Sequence, residues 1–216
     1  MLLPAGAKDP YAGADPGAAA RATQESGVQK STLPNGVTLL VTRNPAAPIV
    51  SIQLYTLGGL LAETDKTNGA GAAMMELMTR GSETRTHEQI TDFLDRTGTL
   101  LTAESGSNSF ALSMTALKEN APAAAELFVD LALHPKFSAE ELEQSRPQLM
   151  AAVQQSTEDW FGEAFKFTRE AVDTKFLVRR MPGGDVSVMS KITAADVRTH
   201  YERYLPNPQH TVIAIS

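Results

Sequence analysis

The chain contains few groups of residues whose types could carry out chemistry, and the most acidic of them lies in its second half. Glu158, Asp159 and Glu163 stand close together in the segment STEDWFGE. Two carboxylates in different environments can divide the roles of general acid and general base. These three, however, lie at the predicted start of a helix, where the helix dipole favours acidic side chains. Helix capping therefore explains this group better than catalysis does.

The histidines are the next candidates, because imidazole both binds metals and transfers protons. The chain has four, and they are scattered: His87, His134, His200 and His210. His87 falls at the first position of a predicted helix, His134 beside a proline that ends another helix, and His210 before the last predicted strand. We predict a solvated or structural role for each. Cysteine is absent, which excludes thiol nucleophiles, disulfides and cysteine-bound zinc.

A third group joins two arginines to a glycine-rich turn. Arg179 and Arg180 precede Pro182-Gly183-Gly184, which suggests a phosphate-binding loop. The segment lacks the Gly-x4-Gly-Lys-Ser/Thr spacing that such a loop requires, so a surface turn is the better interpretation. No Gly-x-Ser-x-Gly segment is present to expose a nucleophilic serine.

Composition narrows the class of protein further. The 216 residues are 42% hydrophobic and 20% charged, with a net charge of −6, which is typical of a globular domain and argues against a nucleic-acid-binding surface. No apolar run approaches the roughly 18 residues of a membrane-spanning helix. Residues 1–27 hold eight Ala, four Gly and three Pro, the composition of a flexible linker or tail. Their start lacks the features of a signal peptide, so we expect either a cytoplasmic protein or a natural start further upstream.

Apolar periodicity predicts the elements that follow. Asn35-Gly36 lies between two β-favouring runs and predicts a hairpin, and a buried strand follows, ending at Gly58-Gly59. Helices are predicted at about 69–80 and 86–97, the second with a capping box at its start. Two more strands follow, at about 99–105 and 108–117.

The second half of the chain is predicted to be mainly helical. Helices are expected at about 119–135, from 138 to about 155 with a kink at Pro147, at about 158–173, and from Thr193, before a final strand. The segment DVSVMSKI fits no element clearly. Strands and helices therefore come in blocks, which favours an α+β fold with a largely antiparallel or mixed sheet covered by helices, formed by residues 28–216 as a single domain.

This order of segments resembles a known family. The runs TLPNGVTLLV, a strand ending in Gly-Gly with Glu63 after it, GAGAAMMELMTRGSETRT, FSAEELEQSRPQLMAAV and ITAADVRTHYERYLPNPQHTVIAIS are similar to the pitrilysin/insulinase family of zinc peptidases. That family includes the mitochondrial processing peptidase and the core proteins of the respiratory bc1 complex. The similarity runs from about Gln29 to Ser216, and it implies the processing-peptidase-like metallohydrolase fold.

The resemblance also implies where a zinc site would lie. Active members carry H-x-x-E-H on the first helix, where two His bind zinc and the Glu is the general base, and a later helix supplies a Glu ligand. Alignment on Arg80-Gly81-Ser82 matches these four positions, in chain order, to Ala72, Met75, Glu76 and Ala152. Every one has changed. We therefore expect no catalytic residue and no metal ligand in this chain.

One feature of the family's function is expected to survive. In active members the substrate peptide pairs with the edge strand after the second helix, and the family's Asn-Ala there matches Thr102-Ala103. Main-chain pairing depends little on side chains. Leu101, Thr102, Ala103 and Glu104 are thus the candidate peptide-binding edge. The alternative is an ordinary sheet edge that a partner or a loop covers.

The resemblance implies a partner as well. The family's working unit is a pair of two-domain halves that close over the substrate, and one half carries the zinc. We therefore expect a non-catalytic domain that pairs with a homologous zinc-bearing domain or subunit to form the substrate chamber, with zinc only in that partner and an extended peptide as substrate. The alternatives are a purely structural assembly subunit, like the respiratory core proteins, and a zinc endopeptidase with an unrecognised site. The resemblance favours a bacterial periplasm or envelope over the cytoplasm.

Overall fold

A six-stranded sheet with helices packed on it makes up the part of the chain that the structure describes, which is residues 27–158, 180, 183–205 and 207–216 of a computed structural model. The strands are β1 (Val28–Thr32), β2 (Thr38–Thr42), β3 (Ile49–Leu57), β4 (Leu100–Ser105), β5 (Ser109–Leu117) and β6 (Thr211–Ile215). The helices are α1 (Ala70–Met78), α2 (His87–Thr97), α3 (Ala121–Leu133), α4 (Ala139–Glu158), α5 (Val186–Met189) and α6 (Ala194–Tyr204). Short 3-10 turns lie at Gly59–Ala62 and Pro208–His210.

The sheet is mixed, with a single parallel pair. Its strand order is β1-β2-β6-β3-β5-β4, and only β2 and β6 run parallel. Strand β6, the last in the chain, therefore lies inside the sheet, between β2 and β3. This arrangement confirms the predicted α+β fold with a largely antiparallel or mixed sheet.

Local sequence signals set the boundaries of several elements. The predicted hairpin forms at Asn35-Gly36, where Asn35 Oδ1 accepts a hydrogen bond from the Val37 amide at 3.2 Å and Gly36 has φ of 96°. Helices α2 and α6 each begin with a capping box, at Thr86 and at Thr193. In a capping box the first and fourth residues satisfy backbone N–H groups that would otherwise lack partners.

The hydrophobic core lies between the sheet and the helices. Alternate residues of β5 face it, so that Phe110, Leu112 and Met114 are almost fully buried. Helix α1 supplies Met74 and Met78 from the other side. A strand that alternates buried and half-buried residues has one face in the core and one outside it.

Some predictions are refined and others fall outside the described residues. Pro147 lies within α4, which continues through it to Glu158. The segment DVSVMSKI, which fitted no element, forms α5, and the Asp185 side chain caps that helix. Residues 1–26, the predicted helix at 158–173 beyond its first residue, the acidic residues Asp159 and Glu163, and Arg179 and Pro182 lie outside the described part of the chain. Among the described helices, none is long and apolar enough to cross a membrane.

Candidate functional site

The resemblance places the zinc site of active members on helix α1, and a buried carboxylate fixes the start of this helix. Glu63 is 5% exposed. It accepts hydrogen bonds from the Gly69 and Gly71 amides at 2.9 and 2.8 Å and from the Asn68 side-chain amide at 2.8 Å. Free N–H groups at a helix start carry partial positive charge, so a carboxylate there is stabilised. Glu63 was part of the sequence resemblance, but its capping role was not predicted.

Glycines bring α1 close to the edge of the sheet. A Cβ at Gly71 would lie 2.6 Å from Ser105 Oγ and 2.8 Å from a ring carbon of Phe110, so only glycine fits between α1 and strands β4 and β5. Gly184 likewise packs on Gly69, because a Cβ at Gly184 would lie 2.6 Å from the Gly69 Cα. Helix α1 is thus held directly beside the edge strand β4.

The four positions that the resemblance assigns to the zinc site have different environments. Met75, at the position of the general base, is 2% exposed and belongs to the core. Ala72 and Glu76, at the positions of the two histidines, are partly exposed on α1, and Ala152 is exposed on α4. Helices α1 and α4 pack against each other. Three of the four side chains therefore offer no oxygen, nitrogen or thiolate to a metal.

The fourth, Glu76, is held by a cation of the chain itself. Arg80 Nε donates to Glu76 Oε1 at 2.8 Å, one helical turn away. The same guanidinium places Nη1 3.7 Å from Glu141 Oε2 on α4. Arg80 thus bridges α1 and α4 electrostatically, and it pairs with the only carboxylate among the four positions that the resemblance assigns to the zinc site. Within the described ranges, no three His, Asp or Glu side chains lie close enough together to hold a metal ion.

The predicted peptide-binding edge is an edge strand in the described sheet. Strand β4 pairs with β5 on one side and with no other described strand. Leu101 and Ala103 are half-buried, whereas Thr102 and Glu104 are exposed. The half-buried set faces the core side, where α1 packs on β4. An unpaired row of backbone groups beside α1 is chemically able to accept an added strand.

A buried aspartate joins the segment after α1 to α3. Asp130 Oδ2 accepts hydrogen bonds from Ser82 Oγ and Thr84 Oγ1, both at 2.6 Å, and from Arg85 Nη1 at 2.7 Å. Burial alone would raise the pKa of Asp130, but these three hydrogen bonds and the charge of Arg85 outweigh it and lower the pKa. This network was not predicted. The sequence feature that pointed to this network is the single Asp among the apolar residues of FVDLAL.

The described histidines form no common site, and one of them is buried. His200 is 7% exposed and packs against the Phe110 ring, with centroids 5.7 Å apart. Burial, with the charge of Arg203 nearby, lowers the pKa of His200 from 6.5 to about 4. His134 lies at the surface with Nδ1 3.7 Å from Asp130 Oδ1, and His210 contacts the Asn207 side chain. His87 begins α2, as predicted.

Comparison with known proteins assigns the chain to a family. Residues 38–174 match the family model described as insulinase, peptidase family M16. The chain belongs to the M16 peptidase family.

Several M16 proteins align with the chain. It is 27% identical over 133 residues to the mitochondrial-processing peptidase subunit beta of Neurospora crassa, which covers 60% of this chain and 28% of that protein. It is 24% identical over 208 residues to an uncharacterised zinc protease of Mycobacterium leprae, covering 94% of this chain and 46% of the other. The bovine cytochrome b-c1 complex subunit 1 aligns over 86% of this chain and 38% of its own length at 21% identity. The chain therefore spans less than half the length of these relatives.

Solved M16 structures share the fold. An M16 inactive domain from Pseudomonas fluorescens superposes with a TM-score of 0.79 at 16% identity, over 87% of this chain and 46% of that one. The periplasmic protease PqqL of Escherichia coli superposes with a TM-score of 0.77 at 16% identity, over 88% of this chain and 22% of its own. These similarities confirm the fold class predicted from the sequence.

Proposed function

We propose that this chain is a non-catalytic M16 domain that pairs with a zinc-bearing M16 domain or subunit and forms part of the wall of its substrate chamber. The observation that carries the proposal is that Ala72, Met75 and Glu76 on α1 and Ala152 on α4, which the resemblance matches to the zinc site, include no histidine. The M16 family supplies the fold, and the similarity to an M16 inactive domain supports the non-catalytic role.

The chemistry at these positions supports the loss of catalysis. Metal-assisted hydrolysis needs ligands for the ion and a base for its bound water. Met75, at the position of the base, is a buried thioether side chain, which accepts no proton at ordinary pH. Glu76 already has a cationic partner in Arg80 at 2.8 Å, so a metal ion there would have to compete with an existing ion pair. The zinc of a working peptidase would then belong to the partner.

The retained features support a role beside the partner's active site. Helix α1 keeps its buried carboxylate cap and its close glycine contact with β4. Strand β4 has an edge that pairs with no further strand among the described residues, and Thr102 and Glu104 are exposed there. An extended peptide would add to this edge through main-chain hydrogen bonds, which need no particular side chain.

Zinc content is the first test. After dialysis against micromolar zinc, the 216-residue chain should retain far less than one zinc per chain. The quadruple variant Ala72→His, Met75→Glu, Glu76→His and Ala152→Glu should retain more, because it restores the family's ligands and base. Stoichiometric zinc in the unaltered chain, or peptide cleavage by it alone, would refute the proposal and favour a zinc endopeptidase with a different site.

Association is the second test. The chain should form a stable complex with an M16 chain of the same organism that carries H-x-x-E-H, and peptide cleavage by that chain should be faster in the complex. Thr102→Pro and Ala103→Pro provide matched variants of the edge. Neighbouring residues in a strand direct their N–H groups to opposite sides, so one proline removes an outward donor and the other a donor to β5. The proline variant that keeps its thermal stability has lost only the outward donor, and it should slow peptide cleavage in the complex. If both variants fold and peptide cleavage stays at its normal rate, the edge strand does not bind the substrate.

The second candidate is a structural subunit of an assembly that is not a peptidase. The bovine cytochrome b-c1 complex subunit 1 aligns over 86% of this chain, and this alignment supports the structural role as a second candidate. Purification from the native organism separates the two candidates. Recovery with a zinc-bearing M16 chain supports the first, and recovery only with unrelated subunits supports the second.

We further propose a bacterial envelope location, supported by the similarity to a periplasmic protease. The similarity to a mitochondrial-processing peptidase subunit favours a mitochondrial location instead. Fractionation of the native cells tests this, since recovery in the cytoplasmic fraction would contradict it.

A further inference from the structure

A cavity of about 680 Å³ opens between the segment 61–67 and the helices α5 and α6, and its lining includes none of Ala72, Met75, Glu76 and Ala152. Its volume is within the range of small-molecule sites, roughly 300–1,000 Å³. Part of the lining is apolar, contributed by Leu61, Ala62, Ala70, Val188, Ile192 and Tyr204. Such walls suit the hydrocarbon part of an organic ligand.

The carboxylates that line the cavity are engaged by groups of the chain. Glu63 accepts three hydrogen bonds at the start of α1. Asp196 Oδ2 accepts from the Thr193 amide and hydroxyl at 2.9 and 2.6 Å, at the start of α6. Asp65 Oδ1 lies 3.2 Å from Arg180 Nε. These three carboxylates therefore already bond to helix-start groups or to an arginine of the chain.

The hydroxyl groups that line the cavity are engaged as well. Thr199 Oγ1 donates to the Ala195 carbonyl at 2.9 Å, and Tyr204 Oη donates to the Ala62 carbonyl at 2.9 Å. Ser187 Oγ donates to Asp185. Thr64 and Thr67 share a hydrogen bond at 3.1 Å between their hydroxyls. The hydrogen bond between Thr64 and Thr67 uses one of their two hydroxyl hydrogens, and the other remains available to a ligand.

Three cations remain at the cavity with their donors uncommitted. Lys66, Lys191 and Arg203 line it and are exposed, and within the described ranges none of them has an ion pair or a side-chain hydrogen bond. Arg203 stacks over the Tyr204 ring, with its guanidinium carbon 5.4 Å from the centroid. Three side chains of this cavity thus offer positively charged donors to a ligand.

A neutral imidazole completes the lining. His200 is more than nine-tenths buried, and its Nε2 has no hydrogen-bond partner in the described part of the chain. Burial holds the pKa of His200 at about 4, so at neutral pH it adds no positive charge. Its protonation state therefore responds to any charge that enters the cavity.

We propose that this cavity binds a small organic anion, which places a carboxylate or phosphate group against Lys66, Lys191 and Arg203 and its hydrocarbon part against the apolar walls. The shared chemistry is an oxyanion on an apolar body. This site does not depend on the chain's role beside a peptidase, since it uses neither α4 nor the edge strand β4. A bound anion favours the imidazolium form of His200, so binding should tighten as the pH falls from about 7 to about 5.

The test uses three probes with one ring in common: benzoate, phenyl phosphate and the uncharged benzyl alcohol. Each is titrated into the 216-residue chain while the imidazole resonances of His200 are followed by NMR. At least one of the two anions should shift these resonances in a saturable way and raise the pKa of His200. Whichever anion binds more tightly identifies the carboxylate or the phosphate as the preferred group. Benzyl alcohol should bind at least about tenfold more weakly, as expected if charge supplies the affinity.

Matched variants separate specific binding from general charge effects. The double variant Lys66→Met and Lys191→Met removes two cavity cations from exposed positions, and its affinity for the preferred anion should fall about tenfold. Lys30→Met, an exposed lysine on β1, is the control and should bind as the unaltered chain does. The proposal fails if neither anion perturbs His200, if benzyl alcohol binds as tightly as the anions, or if Lys30→Met loses as much affinity as the double variant.

Discussion

Acidification should destabilise the chain through His200, well before the carboxylates are protonated. His200 is 7% exposed and lies against Phe110 and Tyr204, with its pKa lowered to about 4. An unfolded chain exposes the imidazole, whose pKa then returns to about 6.5. Between these two values the unfolded state binds more protons than the folded state. The stabilising contribution is therefore complete above pH 6.5 and is lost as the pH falls towards 4.

The size of the effect follows from the two pKa values. For a folded-state pKa of about 4 and an unfolded-state pKa of about 6.5, the free energy of unfolding should fall by about 2 kcal/mol between about pH 7.5 and about pH 5. Urea unfolding at a series of pH values measures this fall. It should level off below about pH 4, where both states become protonated.

Substitutions test whether His200 alone causes this fall in the free energy of unfolding with pH. The glutamine side chain of His200→Gln does not titrate. Over the same pH interval, the free energy of unfolding of this variant should therefore fall by about 2 kcal/mol less than that of the unaltered chain. His210→Gln is the matched control, because the exposed His210 side chain has no carboxylate partner among the described residues, and the fall in unfolding free energy should persist in this variant. An NMR titration of the folded chain gives the His200 pKa directly. A value near 6.5, or an unchanged slope in His200→Gln, would refute the reasoning.

Three further substitutions test the contacts around α1. Glu63→Ala should lower the free energy of unfolding by about 3 kcal/mol, because it leaves the start of α1 without its carboxylate. Gly71→Ala should cost about 2 kcal/mol, because its Cβ would overlap Ser105 and Phe110. Asp130→Asn should cost about 2 kcal/mol at neutral pH, since it removes the ion pair with Arg85. That last difference should shrink below pH 4, because the lowered pKa of Asp130 means its contribution is present above the usual carboxyl range and is lost in acid.

Each of these substitutions has a control in the same region of the chain. Glu83→Ala and Asp95→Asn alter exposed acidic residues and should change the unfolding free energy by less than about 0.5 kcal/mol. Gly81→Ala places its Cβ 3.7 Å or more from its neighbours, and should be tolerated. If Gly81→Ala destabilised the chain as much as Gly71→Ala, close packing of α1 would not be the cause.

Short-range signals account for what the sequence predicted of the fold. Asn35-Gly36 needs only the conformation of a two-residue turn, and the capping boxes at Thr86 and Thr193 need only contacts three residues apart. The position of β6 depends instead on pairing with β2 and β3, which lie more than 150 residues earlier. No local pattern encodes such a pairing, and the sequence analysis predicted only that a final strand is present.

The candidate site also combines features that the sequence predicted with features that required the structure. The sequence alone shows that the first helix carries no histidine, because His87 is the first histidine in the chain. The bridge from Glu76 through Arg80 to Glu141 joins residues on two helices and required coordinates. So did the cavity cations and the burial of His200, whose segment TAADVRTHYERYL predicted only a capped helix.

The interior position of β6 has a consequence for synthesis of the chain. Until residues 211–215 leave the ribosome, β2 and β3 face each other across a gap with unpaired backbone groups on both sides. Loop closure over so long a separation is slow, and unpaired strands invite association with other chains. A nascent chain arrested before Thr211 should therefore be sensitive to protease and prone to aggregate, and release of five more residues should protect the whole sheet.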